Sequence, residues 1–398
     1  MNKTNKFKGI ILVFILISTF GFTQGIEFCG GSWEEIKALA KKENKLIFFD
    51  AYTSWCGPCK WMDKNTFLDK ETGEFYNKNV IPFKQDMEKG EGPMLSKKFR
   101  ITQYPTYLFI DKNEKVVHKG SGAKGPKAFI AFAKQAIDPT MRLEGLKVQY
   151  KEGNRTPEFI RRYLFALRDA SEPRKEIIDW YFNYTTDEEL LTAENFELIK
   201  KMAGNPLHPK FVFLEKNRVN YEKLVGAEEV EKTLYDAYNT LLVMAMYSDD
   251  VDRWEKAKMR THKSGFEDAG KLVTRVSIYY HARNKNWDNY VTTINDYINN
   301  YDISAGDIGY YTLQVAKNDA ITRKDHWTLA LEWINLSIKM ENKYRNNHAK
   351  AALLLKMNKP KKALKSAKTA LSLATEEEKE KSYTSPTIEL ITKIKGSV

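Results

Sequence analysis

The apolar run Leu46-Ile-Phe-Phe-Asp-Ala51 ends shortly before Cys56, and a second cysteine, Cys59, follows after Gly57-Pro58. A short run of large apolar residues is typical of a buried strand, and we expect a helix to open at the cysteine pair. Two cysteines at this spacing can close a small disulfide ring. The free N–H groups and the positive end of the helix dipole favour a thiolate at the first cysteine. The spacing therefore predicts Cys56 as a nucleophile and Cys59, one turn inside the helix, as the resolving thiol.

A structural metal site is the alternative use of such a cysteine pair. Zinc in a structural site takes four ligands. The chain has only three cysteines, no second C-x-x-C pair, and no two of its six histidines at helical spacing. We therefore expect no metal, and no organic cofactor is required. Three cysteines in 398 residues also exclude a small scaffold held together by several disulfides.

Strand and helix signals alternate between residues 26 and 138. Ser32 and Glu35 form the capping box of a first helix, which is expected to run through about Lys42. Besides the strand at 46–51, strands are predicted at 80–84, 106–110 and 115–118, and helices near 94–100 and over 126–137. This order predicts an α/β domain over 26–138, with its chemistry at the end of a central strand.

Two separate motifs, in the right order, resemble the thioredoxin family. The stretch IFFDAYTSWCGPCK, from Ile47 to Lys60, is similar to the active-site strand and helix of thioredoxins. Gln103-Tyr-Pro-Thr106 is similar to their cis-proline segment, and the resemblance covers about residues 30–138. It implies the thioredoxin fold, a central mixed sheet flanked by helices. It also implies an enzyme that catalyses thiol–disulfide exchange, with Cys56–Cys59 as its redox disulfide.

The resemblance also assigns roles to individual residues. Asp50 matches the family's buried carboxylate beneath the disulfide, where a raised pKa would let it accept the proton of Cys59. Pro105 matches the cis-proline whose neighbouring backbone pairs with the substrate, and Trp55 matches an aromatic ring that shields the disulfide. The implied substrate-binding residues are Trp55, Gly57, Pro58, Tyr104 and Pro105.

Two positions depart from the family's pattern. Tyr104 stands where the family usually has a small aliphatic residue before the proline. The lysine that often pairs with the buried aspartate has no evident counterpart, because Pro82 falls near its place. Both departures bear on the redox potential and on the choice of substrate.

The first 25 residues contain three lysines and no acid, and an uncharged apolar stretch covers Ile10–Phe22. This stretch is shorter than the ~20 residues that a membrane-spanning helix needs. The pattern predicts a secretory signal peptide, residues 1–25, cleaved near residues 22–25, with a retained anchor as the alternative. The remaining chain is expected in the periplasm, without a membrane span, where disulfide chemistry is possible.

Strand signals nearly vanish after Asp138-Pro139, and from Pro157 to the terminus helix follows helix at the 3.6-residue periodicity. We expect an α-helical domain over 139–398. Part of it repeats at a constant offset of 33 residues, since apolar positions 330, 331, 334 and 338 recur at 363, 364, 367 and 371. Such spacing favours paired-helix repeats of the tetratricopeptide type within 270–375. Ordinary amphipathic helices that match by chance are the alternative.

The sequence thus predicts a thioredoxin-like oxidoreductase that reduces protein disulfides, since Gly57-Pro58 resembles the reducing members of the family. Its partners would be disulfide-containing proteins and an electron-donating dithiol protein. The helical region would select or position the substrate. The alternative is a protein-binding scaffold whose helical repeats carry the main role, with the redox pair secondary or regulatory.

Three remaining signals are interpreted as structural. The net charge of +12 fits a solvated, lysine-rich surface. The tyrosine pairs of the helical region fit helix packing, so no nucleic-acid partner is expected. Cys29 is expected to be a free, inert thiol, with an intermolecular disulfide as the alternative.

Overall fold

The apolar run after Lys45 forms a strand, β1 (Leu46–Tyr52), whose five inner residues are all buried. The computed structural model describes residues 25–396. Within this part of the chain, contacts define two units, residues 25–186 and 187–396. The predicted signal peptide, residues 1–25, lies outside the described residues except for Gly25, and its cleavage stays a prediction.

The first unit alternates helices and strands as predicted. Its elements in chain order are α1 (Trp33–Glu43), β1, α2 (Gly57–Asn65), α3 (Lys70–Asn79), β2 (Val80–Asp86), α4 (Gly92–Phe99), β3 (Thr106–Ile110), β4 (Val116–Ser121), α5 (Pro126–Ile137), α6 (Leu143–Lys151), α7 (Pro157–Asp169) and α8 (Lys175–Tyr184). The predicted capping box of α1 is confirmed, because the side chain of Ser32 accepts the N–H of Glu35 and the carboxylate of Glu35 accepts the N–H of Ser32. Helix α3, which begins after the capping residue Asp69, was not predicted from the sequence.

The four strands of this unit form one mixed sheet in the order β2-β1-β3-β4. β1 runs parallel to β2 and antiparallel to β3, and β3 pairs antiparallel with β4. In this register Asp50 on β1 stands opposite Lys84 on β2 and opposite Tyr107 on β3. β1, the strand that leads to the cysteines, is therefore central in the sheet, as predicted.

Aromatic side chains fill the cores on both faces of the sheet. On one face the ring of Trp33 in α1 packs 5.9 Å from that of Phe49. On the other face Phe48 packs edge-on against Tyr76 of α3, with ring centroids 4.8 Å apart. Because successive residues of a strand point to opposite faces, Asp50 shares the face of Phe48.

Three helices beyond the predicted domain boundary at residue 138 belong to the first unit. α6 and α7 both pack against β4, the strand at the edge of the sheet. The N–H of Leu143, the first residue of α6, donates to Nδ1 of the buried His118 on β4 at 3.0 Å. A covered edge strand is protected from pairing with other chains. The predicted boundary stays a prediction.

The second unit is built from helices throughout the residues that the structure describes, which confirms the predicted all-helical region. Its helices are α9 (Asp187–Leu190), α10 (Ala193–Met202), α11 (Pro209–Lys216), α12 (Arg218–Val225), α13 (Ala227–Met246), α14 (Val251–His262), α15 (Ala269–Arg283), α16 (Trp287–Asn300), α17 (Ala305–Lys317), α18 (Lys324–Met340), α19 (Tyr344–Lys356), α20 (Pro360–Leu373), α21 (Glu376–Glu380) and α22 (Ser385–Gly396).

Consecutive helices pack together in the segment where repeats are predicted. α15 packs with α16, α17 with α18, and α19 with α20. The repeated positions also share their burial, since Ala330 and Ile334 of α18 and Ala363 and Ala367 of α20 are all completely buried. The offset of 33 residues therefore relates the inner faces of two helices. A regular tetratricopeptide-like repeat stays a prediction.

Candidate active site

The cysteine pair lies where β1 leads into α2, at the carboxyl end of a central strand. Cys56 and Cys59 form a disulfide, with their Cα atoms 5.3 Å apart. Cys56 is the N-cap of α2, and its Sγ accepts a hydrogen bond from the N–H of Cys59 at 3.1 Å. After reduction, a thiolate at this place would face free N–H groups and the positive end of the helix dipole. The structure thus brings the predicted nucleophile and resolving thiol together.

An exposed surface surrounds the buried disulfide. Gly57 and Pro58, the first two residues of α2, are exposed, and Trp55 is 65% exposed. The indole N–H of Trp55 donates to Glu88 at 3.0 Å, and its ring meets that of Tyr104 edge-on at 6.0 Å. Four of the predicted substrate-binding residues therefore lie on or beside the surface next to the cysteines.

The fifth of these residues, Pro105, follows a cis peptide bond after Tyr104, as the resemblance implies. The carbonyl of Pro105 accepts the N–H of Gly122 at 3.1 Å. The next residue, Thr106, begins β3 and pairs with Ala51 of β1. β1 continues directly into the cysteine segment. This pairing therefore places the proline loop and the disulfide at the same end of the strands.

Asp50 is only 1% exposed and lies on β1, shortly before the cysteines. Its Oδ2 lies 3.5 Å from the ammonium of Lys84, and its Oδ1 accepts no hydrogen bond from any residue that the structure describes. Burial raises the pKa of Asp50 to about 7, against the opposing effect of the Lys84 charge. A carboxylate that titrates near neutral pH can take up and release a proton, as a general base must.

A lysine does pair with Asp50, and the prediction that this lysine lacks an evident counterpart is wrong. Pro82 pairs with Phe48 in the parallel register, whereas Lys84 stands opposite Asp50. Strand alternation puts residues 82 and 84 on the same face, so alternation along β2 is the signal that could have found Lys84. The register between β1 and β2 is what the sequence does not show.

The Lys84 ammonium lies among three aromatic rings and two carboxylates. The ring of Tyr52 is 4.6 Å from it, that of Phe67 5.2 Å and that of Phe28 5.5 Å. Besides contacting Asp50, the ammonium donates a hydrogen bond to Oδ1 of Asp63 on α2. Attraction to ring faces and to two acids holds this cation in place. Sequence reasoning missed Asp63 entirely.

The tyrosine hydroxyls near Asp50 are neutral. That of Tyr107, which stands opposite Asp50 on β3, is buried and has no hydrogen-bond partner within residues 25–396. Burial raises the pKa of Tyr107, and the charge of Asp50 raises it further. Burial likewise raises the pKa of Tyr76. The charges that act on Asp50 are therefore those of Lys84 and Asp63.

The third cysteine, Cys29, is free and half-buried. Its N–H donates to the carbonyl of Pro82 at 2.7 Å, next to β2. Burial is the main cause that raises the pKa of its thiol, with a further contribution from the charge of Glu43. Because the thiolate is the nucleophilic form, this environment disfavours reaction at Cys29.

Two kinds of feature are absent from residues 25–396. No cluster of three or more His, Cys, Asp or Glu side chains there could hold a metal ion. In the same residues no helix is both long and apolar enough to cross a membrane.

Comparison with known proteins matches residues 30–112 to the family model described as Thioredoxin-like. Thioredoxin-1 of Drosophila melanogaster is 30% identical over 80 residues, which are 20% of this chain and 70% of that protein. The thiol:disulfide interchange protein DsbD of Haemophilus influenzae is 30% identical over 91 residues, which are 22% of this chain and 15% of that protein. A solution structure from Bacteroides thetaiotaomicron, described as a disulphide-isomerase, is 38% identical and covers 29% of this chain and 96% of its own, with a TM-score of 0.28.

Proposed function

The chain belongs to the thioredoxin family, and on this premise we propose that it reduces protein disulfides outside the cytoplasm through Cys56 and Cys59. The predicted thioredoxin fold and the predicted thiol–disulfide oxidoreductase activity are confirmed by the family match and the relatives. The direction of the reaction, the location and the residue roles are the proposal. The observation that carries it is the redox disulfide at the start of α2, with a buried acid of raised pKa on the strand before it.

The first step is the attack of the Cys56 thiolate on one sulfur of a substrate disulfide. A bond forms between Cys56 and that sulfur, the substrate S–S bond breaks, and the other substrate sulfur leaves as a thiolate that takes a proton from water. The N-cap position of Cys56 supports this role, because the helix N-terminus stabilises the attacking thiolate.

The second step resolves the mixed disulfide. Asp50 takes the proton of the Cys59 thiol, and the resulting thiolate attacks the sulfur of Cys56. The Cys56–Cys59 disulfide forms and the second substrate sulfur leaves, so two electrons pass from the enzyme to the substrate. The oxidised state is the one that the structure shows. A dithiol protein would return the electrons by the reverse exchange.

The chain beyond residue 138 contributes to the proposed substrate surface. Gln103, just before the proline loop, donates from Nε2 to the hydroxyls of Ser171 at 2.6 Å and Ser121 at 2.7 Å. Ser121 donates in turn to the carbonyl of Asp169 at 3.1 Å. The turn that follows α7 therefore borders the loop that carries Pro105. This contact supports the expectation that the helical region positions the substrate.

A location outside the cytoplasm is supported by the basic and apolar pattern of residues 1–25. The full-length gene product expressed in a Gram-negative host should be recovered from the periplasmic fraction. Its amino-terminal sequence should begin near residues 23–26. Recovery from the cytoplasm with Met1 or Asn2 at the terminus would contradict this location.

The reduction potential tests the direction of the reaction. The full chain is equilibrated with reduced and oxidised glutathione near neutral pH, and the Cys29→Ser variant serves as the control that reports the active-site pair alone. We expect a potential at or below about −230 mV, near the roughly −270 mV of thioredoxin, where about 30 mV is a tenfold change in the equilibrium constant. A potential near the roughly −120 mV of a strong oxidant would contradict the proposed direction.

A further inference from the structure

The ammonium of Lys84 is shared between a buried acid and an exposed one. It lies 3.5 Å from Oδ2 of Asp50, and it donates a shorter hydrogen bond to Oδ1 of Asp63. The side chain of Asp50 is 2% exposed, that of Lys84 18% and that of Asp63 42%. The three charges thus form a path from the buried side of α2 to the solvent, and the cation lies closer to the outer end.

Aromatic rings prevent the cation from moving freely toward solvent. Tyr52 on β1, Phe67 after α2 and Phe28 before α1 all lie within 5.5 Å of the ammonium. A lysine confined in this way can change partner only by a small displacement between the two acids. The strength of its pairing with Asp50 therefore depends on the presence of Asp63.

We propose that Asp63 is a positioning residue, which holds Lys84 on the outer side and so keeps Asp50 basic enough to take the proton of Cys59. This inference rests on the proposed function and deepens its second step. A carboxylate that is fully paired with an ammonium is a weaker base than one whose partner is engaged elsewhere.

The charged and titratable groups around Asp50 come from four elements. Lys84 faces it from β2, Asp63 and Cys59 belong to α2, Tyr107 faces it from β3, and Tyr76 approaches from α3. Burial raises the pKa of both tyrosines, so they stay neutral across the useful pH range. Burial raises the pKa of Asp50, the charge of Lys84 lowers it, and that of Asp63 raises it.

The substitution Asp63→Asn should therefore lower the pKa of Asp50 for two reasons. It removes a negative charge, and it frees Lys84 to pair closely with Asp50. The acid limb of the pH–rate profile for the resolving step should move by about one pH unit or more toward lower pH. The rate on the plateau should fall several-fold, because a weaker base accepts the proton of Cys59 less readily.

The measurement uses the reduced full chain in a Cys29→Ser background, mixed in a stopped-flow instrument with a dithiobis(nitrobenzoate) disulfide. Attack by Cys56 releases one coloured nitrothiobenzoate and leaves the other on Cys56. Attack by Cys59 then releases the second and forms the enzyme disulfide. The first release serves as an internal control, and only the second should respond to Asp63→Asn.

Matched variants separate the proposed role from simpler effects. Asp63→Glu, which keeps the carboxylate, should restore the parent profile, and Asp50→Asn should remove the acid limb. Glu71→Gln, which removes an exposed acid of α3, should change nothing. In a Lys84→Met background, Asp63→Asn should produce a much smaller shift, because only the direct effect of its charge remains. Thermal unfolding checks that each variant folds, with Asp63→Ser as the substitute for a misfolded Asn variant.

Two results would overturn the inference. One is an Asp63→Asn profile that superimposes on the parent profile. The other is a shift of equal size with and without Lys84, since Asp63 would then act by its charge alone. If the parent chain itself releases only the first nitrothiobenzoate, the resolving role of Cys59 fails, and the proposed function fails with it.

Discussion

Replacement of Asp50 by Asn should stabilise the first unit at and above neutral pH. The carboxyl is fully buried, and burial raises its pKa from the ordinary 3.8 to about 7. Three pKa units at about 1.4 kcal/mol each amount to about 4 kcal/mol. Because the folded state binds this proton more tightly than the unfolded state, its stability falls as the pH rises from about 4 to about 7 and then stays level. Asn has a similar shape and no charge, so the variant should escape this loss.

Hydrogen–deuterium exchange of the oxidised full chain measures this difference. At about pH 8, peptides from β1 and β3 should exchange up to a thousandfold more slowly in the variant, which is about 4 kcal/mol if exchange follows unfolding of the unit. Peptides from α13 in the second unit serve as the internal reference. Asp86→Asn is the matched control, because the buried Asp86 accepts the N–H of Glu88 at 3.0 Å and pairs with Lys89 at 3.5 Å. Its replacement should bring no such gain.

Two outcomes would refute the reasoning about Asp50. Equal protection of wild type and variant at about pH 8 would mean that ionisation of the buried carboxyl carries no penalty. A gain that persists unchanged at about pH 4 would point to packing, since the wild-type carboxyl is already protonated in the folded state there.

Three other predictions concern separate parts of the first unit. Alkylation of the reduced chain near neutral pH should label Cys56 far faster than Cys59, because only Cys56 caps α2. Exposure does not explain such a difference, since both cysteines are 3% exposed in the oxidised state. Equal labelling rates would contradict the assigned roles. Ser171→Ala removes the hydroxyl that accepts a hydrogen bond from Gln103, so it should raise KM for a disulfide peptide several-fold with little change in kcat. Ser382 has the same backbone φ of 57°, and the control variant Ser382→Ala should leave KM unchanged. Burial lowers the pKa of His118 to about 4, so acidification from about pH 6.5 toward 4 should destabilise its hydrogen bond with α6. Hydrogen–deuterium exchange in α6 should then become faster relative to that in α16. Unchanged exchange in α6 would show that this contact is not sensitive to acid.

Local sequence patterns predicted the parts of the site that depend on adjacent residues. The apolar run over 46–51 forms β1, and the cysteine spacing places the disulfide at the start of α2. The Tyr104–Pro105 bond is cis, as the resemblance implies. Helix α3 was not predicted, although Asp69 accepts the N–H of Thr72 as a capping residue should, because Gly73 interrupts the apolar pattern.

Contacts between distant segments account for what the sequence did not show. Lys84 meets Asp50 only through the parallel register of β1 and β2, and Pro82 is nearer the expected place by counting along the chain. Asp63 joins them from α2, on the far side of the disulfide in sequence. The helical pattern predicted α7 as a helix, but the packing of α6 and α7 against β4 depends on tertiary contacts. Hydrophobic periodicity predicts which face of a helix is buried, but it does not predict which other element that face packs against.

Mass spectrometry of a trapped intermediate tests most directly whether Cys56 is the attacking thiol of a disulfide reductase. The reduced Cys59→Ser chain is mixed with a disulfide-bonded peptide, quenched with acid and digested for peptide mapping, beside a Cys56→Ser control. We predict one peptide adduct per chain, linked to Cys56, and none in the control. An adduct on Cys29 would contradict the mechanism. Reduction of the peptide disulfide without any adduct on Cys56 would also contradict it.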